Sequence, residues 1–439
     1  MIIQILQFLL SLSLLVILHE FGHYITARIF KVRVEKFYIF FNLGFSLFKK
    51  KVGDTEYGIG WLPLGGYVKL SGMIDESMDT KQMKESPKPW EFRSKPAWQR
   101  LIIMLAGIIM NIITAFLIYI TIITTWGTNY LPSSQVKQIY ADSLGQQIGL
   151  RTGDRIISVN GKEVERFKDI FVNLILEEPH SLQVLREKDT INIVLTDKDL
   201  AQVIEHGPFF TPRFPFVVAG FVDTSQSVAY KAGIQKGDMI IAIADNPIEF
   251  FDKAPTILQN YKNQEVDVHV LRDNDTLIFT VKLSESGMLG VIAETDLSKF
   301  YDIRTKHYSF WQAIPEGIKL TFNQIDSYLK QFKLIFNPET KAYKSVGTFI
   351  TIGNLFPKQW DWQFFWSITA FLSIVLAIIN LLPIPGFDGG HALFAIWEII
   401  TGRKPGDKFI EYAQMVGMFI LLMLFILALW NDFTRFIFK

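Results

Sequence analysis

His19-Glu20-Phe21-Gly22-His23 is the stretch from which the organisation of this chain follows. On an α-helix, residues four positions apart lie on one face, one turn above the other. Both imidazoles can therefore reach a single metal ion, and the Glu20 carboxylate is placed to take a proton from an attacking water. The spacing predicts a helical metal site with His19 and His23 as ligands and Glu20 as the general base.

The sequence around this motif is unusually apolar for a metal site. Residues 2–18 are almost wholly hydrophobic, and residues 21–30 continue the run with few polar breaks. A helix needs about 20 apolar residues to span a bilayer, so the motif lies inside a predicted membrane span. Ionisable residues are costly to place there and are generally functional. In the structural alternative, neighbouring helices satisfy the two histidines, but this leaves Glu20 unexplained.

The composition is that of a membrane protein with substantial soluble parts. The 439 residues are 49% hydrophobic and include 38 Phe and 10 Trp, and they suffice for two or three domains. A formal net charge of +1 gives no sign of a nucleic acid or an acidic partner. The sequence has no cysteine, so a metal must be held by His, Asp or Glu.

Four segments are predicted to span the membrane: residues 2–29, 101–126, 363–383 and 408–430. The first is expected to be retained, because it lacks the positive start and the small-residue cleavage site of a secretory signal. The loop of residues 31–100 holds 13 Lys and Arg, which predicts a cytoplasmic location. The long segment between the second and third spans is then expected outside the cytoplasm.

The first loop contains an apolar, Gly-rich, strand-like stretch at residues 58–70. Gly65 and Gly66 predict a tight turn between two short strands, and hence a β-hairpin. Strands with unpaired edges are unstable against lipid, so the hairpin is expected to pack on protein or to line a wet cavity beside the metal site. A hairpin lying free in the cytoplasm fits the residues equally well.

An internal repeat lies between the second and third spans. Ile-Gly-Leu-Arg-Thr-Gly-Asp-Arg-Ile-Ile at residues 148–157 matches Ala-Gly-Ile-Gln-Lys-Gly-Asp-Met-Ile-Ile at residues 232–241, at an offset of 84. The Gly-Asp pattern followed by Val-Asn-Gly resembles a PDZ domain in its bacterial arrangement, although the second copy has Ala-Asp-Asn at the end. PDZ domains bind extended peptides by adding a strand to a sheet edge. Two β-rich spacers, or a size filter that binds nothing, are the alternative.

Residues 308–336 carry apolar side chains at helical spacing, which predicts an amphipathic helix on the membrane or on the two repeats. Such a stripe usually marks packing, and we assign it no chemistry. Residues 345–353 are apolar and β-branched, and they predict either a strand or a re-entrant piece. The stripe consists of Trp311, Ile314, Ile318, Phe322, Ile325, Leu329, Phe332 and Phe336.

Two histidines leave a catalytic zinc one protein ligand short, since such sites use three and a water. The candidate lies in residues 380–391, Asn-Leu-Leu-Pro-Ile-Pro-Gly-Phe-Asp-Gly-Gly-His, at the end of the third span. Its prolines and glycines predict irregular backbone, which membrane depth tolerates only beside protein or water. Asp388 needs a cation in such a place. His391 is the rival ligand, and a helix cap is the structural alternative for Asp388.

Together these motifs resemble the site-2 protease family of intramembrane zinc metalloproteases, and the arrangement with two PDZ-like repeats resembles its regulator-of-sigma-E branch. The resemblance covers essentially the whole chain. It implies a polytopic α-helical membrane protein of the bacterial inner membrane, with about four transmembrane helices, a membrane-associated β-hairpin and two extracytoplasmic PDZ domains. The expected parts are an N-terminal membrane part (1–130), a first PDZ domain (131–204), a second (205–290), an amphipathic linker (291–362) and a C-terminal membrane part (363–439).

Carried over to this sequence, the resemblance implies Zn²⁺ held by His19, His23 and Asp388, with Glu20 as the general base. Asn380 is then expected to contact the substrate backbone near the scissile bond.

The resemblance further implies that Gly65, Gly66 and Tyr67 belong to a β-loop that pairs with an unwound substrate. Ala106-Gly107 and Asn111 resemble the family's Ala-Gly-Pro-x-x-Asn pattern, with Ile108 in place of Pro, and Phe387 stands where Leu is usual. Neither departure touches a ligand.

The activity implied is hydrolysis within the membrane of single-span proteins already trimmed by another protease, such as an anti-sigma factor or a signal-peptide remnant. A PDZ-bearing scaffold with a structural metal site is the alternative, against which Glu20 argues. A transporter is disfavoured, because transporters usually repeat their spans and the only repeat here is in the soluble part.

Overall fold

The computed structural model describes residues 2–63, 65–73, 86–335 and 337–437. The chain divides into two compact units. The membrane unit comprises residues 1–127, 307–337 and 342–439, and the repeat unit comprises residues 128–306 and 338–341.

Twelve α-helices lie within the described residues. In chain order they are α1 (Ile2–Ile29), α2 (Ala97–Trp126), α3 (Ser143–Ile148), α4 (Phe167–Leu176), α5 (Asp197–His206), α6 (Val228–Ala232), α7 (Ala254–Asn260), α8 (Phe310–Ile335), α9 (Phe349–Asn354), α10 (Trp362–Leu381), α11 (Asp388–Thr401) and α12 (Asp407–Ile437).

The strands are mostly short. In chain order they are β1 (Val34–Ile39), β2 (Phe41–Val52), β3 (Thr55–Leu62), β4 (Tyr67–Leu70), β5 (Thr128–Tyr130), β6 (Ile139–Ala141), β7 (Arg155–Val159), β8 (Ser181–Arg186), β9 (Asp189–Val194), β10 (Phe210–Pro212), β11 (Val218–Phe221), β12 (Met239–Ile243), β13 (Asn246–Pro247), β14 (Glu265–Arg272), β15 (Asp275–Lys282), β16 (Val291–Ala293) and β17 (Arg304–Lys306).

Four helices in the described part of the chain are long and apolar enough to cross a membrane: α1, α2, α10 and α12. Each of the four predicted spans coincides with one of these helices. Helix α2 begins at residue 97 rather than 101, and α10 ends at residue 381 because Pro383 cannot continue a helix.

Helices α1, α2 and α10 pack through small and polar side chains, as is common between membrane helices. The Thr369 hydroxyl of α10 donates to Ser11 of α1 at 3.0 Å, and the Ser373 hydroxyl donates to the backbone carbonyl of Asn111 in α2 at 2.8 Å. All of these side chains are buried. The three helices therefore form one packed group, in which α2 contacts both others.

The first loop folds into a four-stranded sheet with the order β2-β3-β1-β4. The predicted hairpin of residues 58–70 is wrong in its pairing: β3 and β4 each pair with β1, which lies between them. The antiparallel partner of β3 is β2, through a turn at Gly53. The sequence around Gly65 and Gly66 suggested a direct turn, but pattern alone does not show that an earlier strand is inserted. Leu64 lies outside the described residues.

The amphipathic helix predicted at residues 308–336 is confirmed as α8, but its buried face differs from the predicted stripe. Small residues Ala313, Gly317 and Thr321 are buried, and Gly317 packs on Ile120 of α2. Trp311 of the apolar stripe is 78% exposed. Phe336 lies outside the described residues. A strand or a re-entrant piece was predicted for residues 345–353, whereas residues 349–354 form helix α9.

The repeat unit contains two hydrophobic cores, one for each copy of the sequence repeat. Each copy has a short helix, α3 or α6, followed by a glycine in the left-handed conformation, Gly149 or Gly233. Each has a paired strand at its end: β10 pairs with β6, and β16 with β11. The first core extends to Phe210, so the expected boundary at residue 204 falls inside α5.

A buried aspartate is fixed in the same way in both copies. Asp154 accepts two hydrogen bonds from Arg186, and Asp238 accepts two from Arg272. Each arginine also donates to the carbonyl of the left-handed glycine of its copy. The Gly-Asp motif is therefore half of an ion pair that joins the helix end to a strand.

Candidate metal centre

His19 and His23 project from the same face of α1, as their spacing predicts. Both rings are buried, with exposures of 7% and 6%. Their Nε2 atoms are 3.3 Å apart, and the rings meet edge to face. Neighbouring Nε2 atoms at this distance can share one ion.

Asp388 reaches this pair from the other end of the sequence. It is the first residue of α11, and the connection from α10 contains Pro383 and Pro385. A side chain at Gly389 would collide with the carbonyl of Leu381 at 2.4 Å, so the Asp-Gly sequence allows α11 to begin directly against the end of α10. The Asp388 Oδ2 atom is consequently 3.1 Å from Nε2 of His19 and 3.2 Å from Nε2 of His23.

The three donor atoms fit a zinc ion. Zinc ligands at tetrahedral angles and bond lengths of about 2.0–2.2 Å are about 3.3–3.5 Å apart, and the three sides of this triangle are 3.1, 3.2 and 3.3 Å. Within the described residues, Asp388 Oδ2 is buried and has no backbone or amide donor bound to it. A carboxylate oxygen that faces two imidazole nitrogens in this way needs a metal cation or a proton between the atoms.

The far nitrogen of each imidazole is held by α2. Nδ1 of His23 is 2.8 Å from the backbone carbonyl of Ile103, which can only accept, so Nδ1 carries a proton and Nε2 of the neutral ring is left to face the centre with its lone pair. Nδ1 of His19 is 3.0 Å from the side-chain amide of Asn111. The sequence pattern included Asn111 without giving it a contact. Because Asn111 lies on a different helix, its contact with His19 could not be read from spacing within α1.

Glu20 lies beside His19, with its carboxylate against the backbone N–H of Val68 in β4. It lines the same cavity as the three donor atoms. Its side chain therefore borders the space in which a water molecule and a peptide bond could meet.

A cavity of about 480 Å³ opens beside the donor atoms. The Asn380 amide lies in it, 3.5 Å from Nε2 of His19. His391, the rival ligand, also lines it, but its Nε2 is 3.3 Å from the side-chain amide of Gln414 on α12. In the described part of the chain, the donor atoms of His19, His23 and Asp388 lie close enough together to bind one metal ion.

Gly65, Gly66 and Tyr67 line the cavity from the side of the sheet. A side chain at Gly66 would meet the carbonyl of Tyr38 at 2.7 Å and Val16 of α1 at 3.1 Å. This glycine therefore allows the sheet to approach α1 closely.

Tyr67 stacks on Tyr38 at an interplanar angle of 7° and donates its hydroxyl to Asn42 at 3.0 Å. Its ring is thus fixed by the sheet at the edge of the cavity. All eight residues singled out from the sequence, from His19 to Asp388, border this one space.

Comparisons with known proteins agree with this geometry. The model of peptidase family M50 matches residues 7–424. A Borreliella burgdorferi protein named "Putative zinc metalloprotease" is 29% identical, with 96% of each chain covered. A Campylobacter jejuni protein of similar name is 28% identical over 99% of this chain and 94% of its own. The Salmonella typhi protein named "Regulator of sigma E protease" is 26% identical, with 98% of each chain covered.

Proposed function

The chain belongs to peptidase family M50 and is a zinc metalloprotease of the site-2 type, and we propose that it hydrolyses peptide bonds within the transmembrane segments of single-span proteins. One observation carries the proposal. Three candidate ligand atoms and the Glu20 carboxylate border a cavity among helices apolar enough to cross a membrane. Such a cavity admits water and a peptide chain at a depth where soluble proteases have no access.

His19, His23 and Asp388 hold the zinc ion in this proposal. Bound zinc supplies an electrophile for the scissile carbonyl and makes water acidic enough to react near neutral pH. Glu20 accepts the proton of the attacking water and passes it to the departing amide nitrogen. His23 stays in the tautomer fixed by the Ile103 carbonyl throughout.

The substrate is proposed to bind as an extended strand beside β4. This strand ends the described sheet beside β1, and residues of it line the cavity. A helical segment hides its carbonyls in hydrogen bonds, so it must unwind before cleavage, and strand addition supplies replacement bonds. The extended substrate would pair with Gly65, Gly66 and Tyr67. The Asn380 amide would bind the substrate backbone near the scissile bond.

The two repeats are proposed to be PDZ domains on the extracytoplasmic side of the bacterial inner membrane. The matching Gly-Asp motifs and the matching ion pairs support two copies of one domain. The 13 basic residues of the first loop support the sidedness. There the repeats would exclude untrimmed ectodomains or hold a newly formed C-terminus, so an upstream protease acts first. Trimmed anti-sigma factors and signal-peptide remnants are substrates of the required kind.

The test uses the full-length protein in lipid nanodiscs with a synthetic single-span substrate that has a short extracytoplasmic tail. We expect Glu20→Gln to lower the cleavage rate by about 10²–10⁴-fold, because it removes the proton acceptor. Its zinc content should equal that of the wild type, since the glutamine lies outside the ligand set. Asp388→Ala should lose both zinc and cleavage.

Two results would overturn the proposal. Cleavage by Glu20→Gln at the wild-type rate would show that another group takes the proton. Failure of the folded, zinc-loaded wild type to cut any trimmed single-span substrate would reject the substrate class. Fusion of a folded domain to the tail serves as the test of size exclusion, and we expect slower cleavage of the fusion.

A further inference from the structure

Three residues of α2, each one turn apart, face the histidine pair of α1. Ile103, Gly107 and Asn111 are spaced by four residues, as His19 and His23 are, so both sets form single faces of their helices. The two faces meet directly. This register gives each imidazole its own partner on α2.

Gly107 is the middle member and provides the space for both rings. A Cβ atom there would lie 2.4 Å from Nε2 of His23 and 2.7 Å from Cε1 of His19. The rings therefore rest against bare backbone, and their orientation depends on the partners above and below. Ile103 supplies one of these partners through its carbonyl.

Asn111 supplies the other partner, and it has no exposed surface. Its backbone carbonyl is held by Ser373 of α10, which fixes this turn of α2. Its side-chain Nδ2 is placed 3.0 Å from Nδ1 of His19, and its Oδ1 is buried without a hydrogen-bond partner among the described residues. The two ends of an amide are nearly the same in shape, and a half-turn exchanges them.

The orientation of this amide decides which nitrogen of His19 carries the proton. If Nδ2 faces the ring, Nδ1 must accept, and the neutral imidazole then has its proton on Nε2, where it blocks a metal. If Oδ1 faces the ring, Nδ1 donates and Nε2 presents a lone pair to Asp388 and His23. Only the second orientation makes His19 a ligand.

We propose that Asn111 is a positioning residue for the metal centre, with its Oδ1 accepting the Nδ1 proton of His19 so that Nε2 can bind zinc. The inference rests on the metal-ligand roles proposed for the two histidines. In it, each of the two outer residues on this face of α2 orients one imidazole. Asn111 touches neither substrate nor zinc and acts through His19.

The test measures zinc affinity of the full-length protein by competition with a chromophoric chelator. We expect Asn111→Leu, which keeps the volume and loses the acceptor, to bind zinc about 10–100-fold more weakly. Asn111→Asp restores an acceptor and should bind zinc within a few-fold of the wild type. The visible absorption of the Co²⁺-loaded protein should lose its tetrahedral bands in Asn111→Leu and keep them in Asn111→Asp.

Thr114→Val is the matched control, because Thr114 is buried on the same helix and, among the described residues, its hydroxyl bonds only to the backbone carbonyl of Met110 in its own turn. Its zinc affinity should be that of the wild type. Thermal unfolding without metal checks that Asn111→Leu folds as well as this control.

A zinc affinity of Asn111→Leu equal to the wild type would overturn the inference. The inference would also be overturned if Asn111→Asp bound zinc as weakly as Asn111→Leu. That result would show that a hydrogen-bond acceptor at position 111 does not affect zinc binding. Since affinity is measured without substrate, this result is independent of whether the protein cleaves membrane segments. Loss of cleavage with intact metal binding would count against the proposed function alone.

Discussion

Single residues decide whether the two imidazoles of α1 can share a cation. Sequence spacing predicted the histidine pair, because a four-residue interval on a helix places both rings on one face. The sequence also offered Asp388 and His391 as third ligands, and the family resemblance favoured Asp388, a carboxylate in broken backbone. The sequence could not predict the contact of Asn111 with His19, which depends on how α2 is rotated against α1. Nor could it show that Gly107 is the point at which both rings meet α2.

Gly107→Ala is expected to damage the metal centre without removing a ligand. The added methyl would lie 2.4 Å from Nε2 of His23, the atom that faces the ion, so this ring must move away. We expect at least about tenfold weaker zinc binding, in the range seen for disturbed outer contacts of metal ligands. Chelator competition measures it.

Gly353→Ala is the control for this substitution, since a Cβ there meets nothing within 4 Å. It should bind zinc as the wild type does. Unchanged zinc affinity in Gly107→Ala would mean that the rings are free to shift and that α2 does not hold them.

At the scale of elements, the position of α11 matters most, because this helix carries Asp388. Arg100 near the start of α2 forms an ion pair with Glu398 near the end of α11, at 2.6 Å and with side chains only 10% and 21% exposed. The pair fixes the end of α11 that is remote from the metal. Pro383 and Pro385 break the backbone before the other end, as the sequence predicted. The ion pair could not be predicted from the sequence.

Arg100→Met is expected to lower the free energy of unfolding in detergent by about 1–3 kcal/mol, between the values for exposed and for buried pairs, because it leaves Glu398 largely buried without its cation. The double variant Arg100→Met/Glu398→Met should be more stable than Arg100→Met alone, since no charge is left unpaired. Unfolding curves of the single and double variants form the required cycle. Additive losses in the double variant would show that the two side chains do not interact.

The sheet of the first loop shows a limit of sequence analysis at this scale. Strands were predicted at residues 58–70, and β3 and β4 lie there, but hydrogen-bonding partners are a property of the whole sheet. β1 lies between them: its residues 36–39 pair in parallel with β3, and its residues 34–38 pair with β4 in the antiparallel direction. Local turn residues cannot exclude such an insertion.

The ion pair of the second repeat predicts a pH dependence. Burial alone raises the pKa of Asp238, but the hydrogen bonds from Arg272 and from the backbone of Gln235 outweigh it, so the pKa lies below its usual value. Because the folded-state pKa is below the unfolded value, this contribution to stability is fully present above the unfolded pKa. It is lost as the pH falls through the folded-state pKa.

We therefore expect the amides around residues 233–243 to lose protection against hydrogen exchange as the pH falls below about 4, after correction for intrinsic exchange rates. Asp238→Asn should show low protection already at pH 7 and little change with acid. If the wild type and Asp238→Asn gave the same profile, the ion pair would not be what holds α6 to β14.

The whole molecule combines a membrane unit that carries the metal centre with a repeat unit that carries two copies of one small core. The Gly-Asp motif reveals the repeat at an offset of 84, but the arginines that pair with its aspartates lie outside this motif. They lie in Val-Leu-Arg-Glu-Lys-Asp-Thr at residues 184–190 and Val-Leu-Arg-Asp-Asn-Asp-Thr at residues 270–276, at an offset of 86. The unequal offsets show that the two copies differ by two residues between motif and strand, which broke the simple periodicity.

Sidedness is the last property at this scale, and the absence of cysteine in the sequence makes it directly measurable. Lys236 in the repeat unit, Lys50 in β2 and Arg403 after α11 are all exposed, so each can be replaced singly by cysteine. The basic first loop, which connects α1 to α2, is expected in the cytoplasm. The start of α1 and the end of α2, where the repeat unit follows, would then lie outside. In intact spheroplasts a membrane-impermeant maleimide should label Lys236→Cys, and it should label Lys50→Cys and Arg403→Cys only after lysis. The cysteine-free parent must remain unlabelled. Labelling of Lys50→Cys before lysis, with protection of Lys236→Cys, would show that the orientation in the membrane is the reverse of the one proposed. The repeats would then lie where they could not select trimmed substrates.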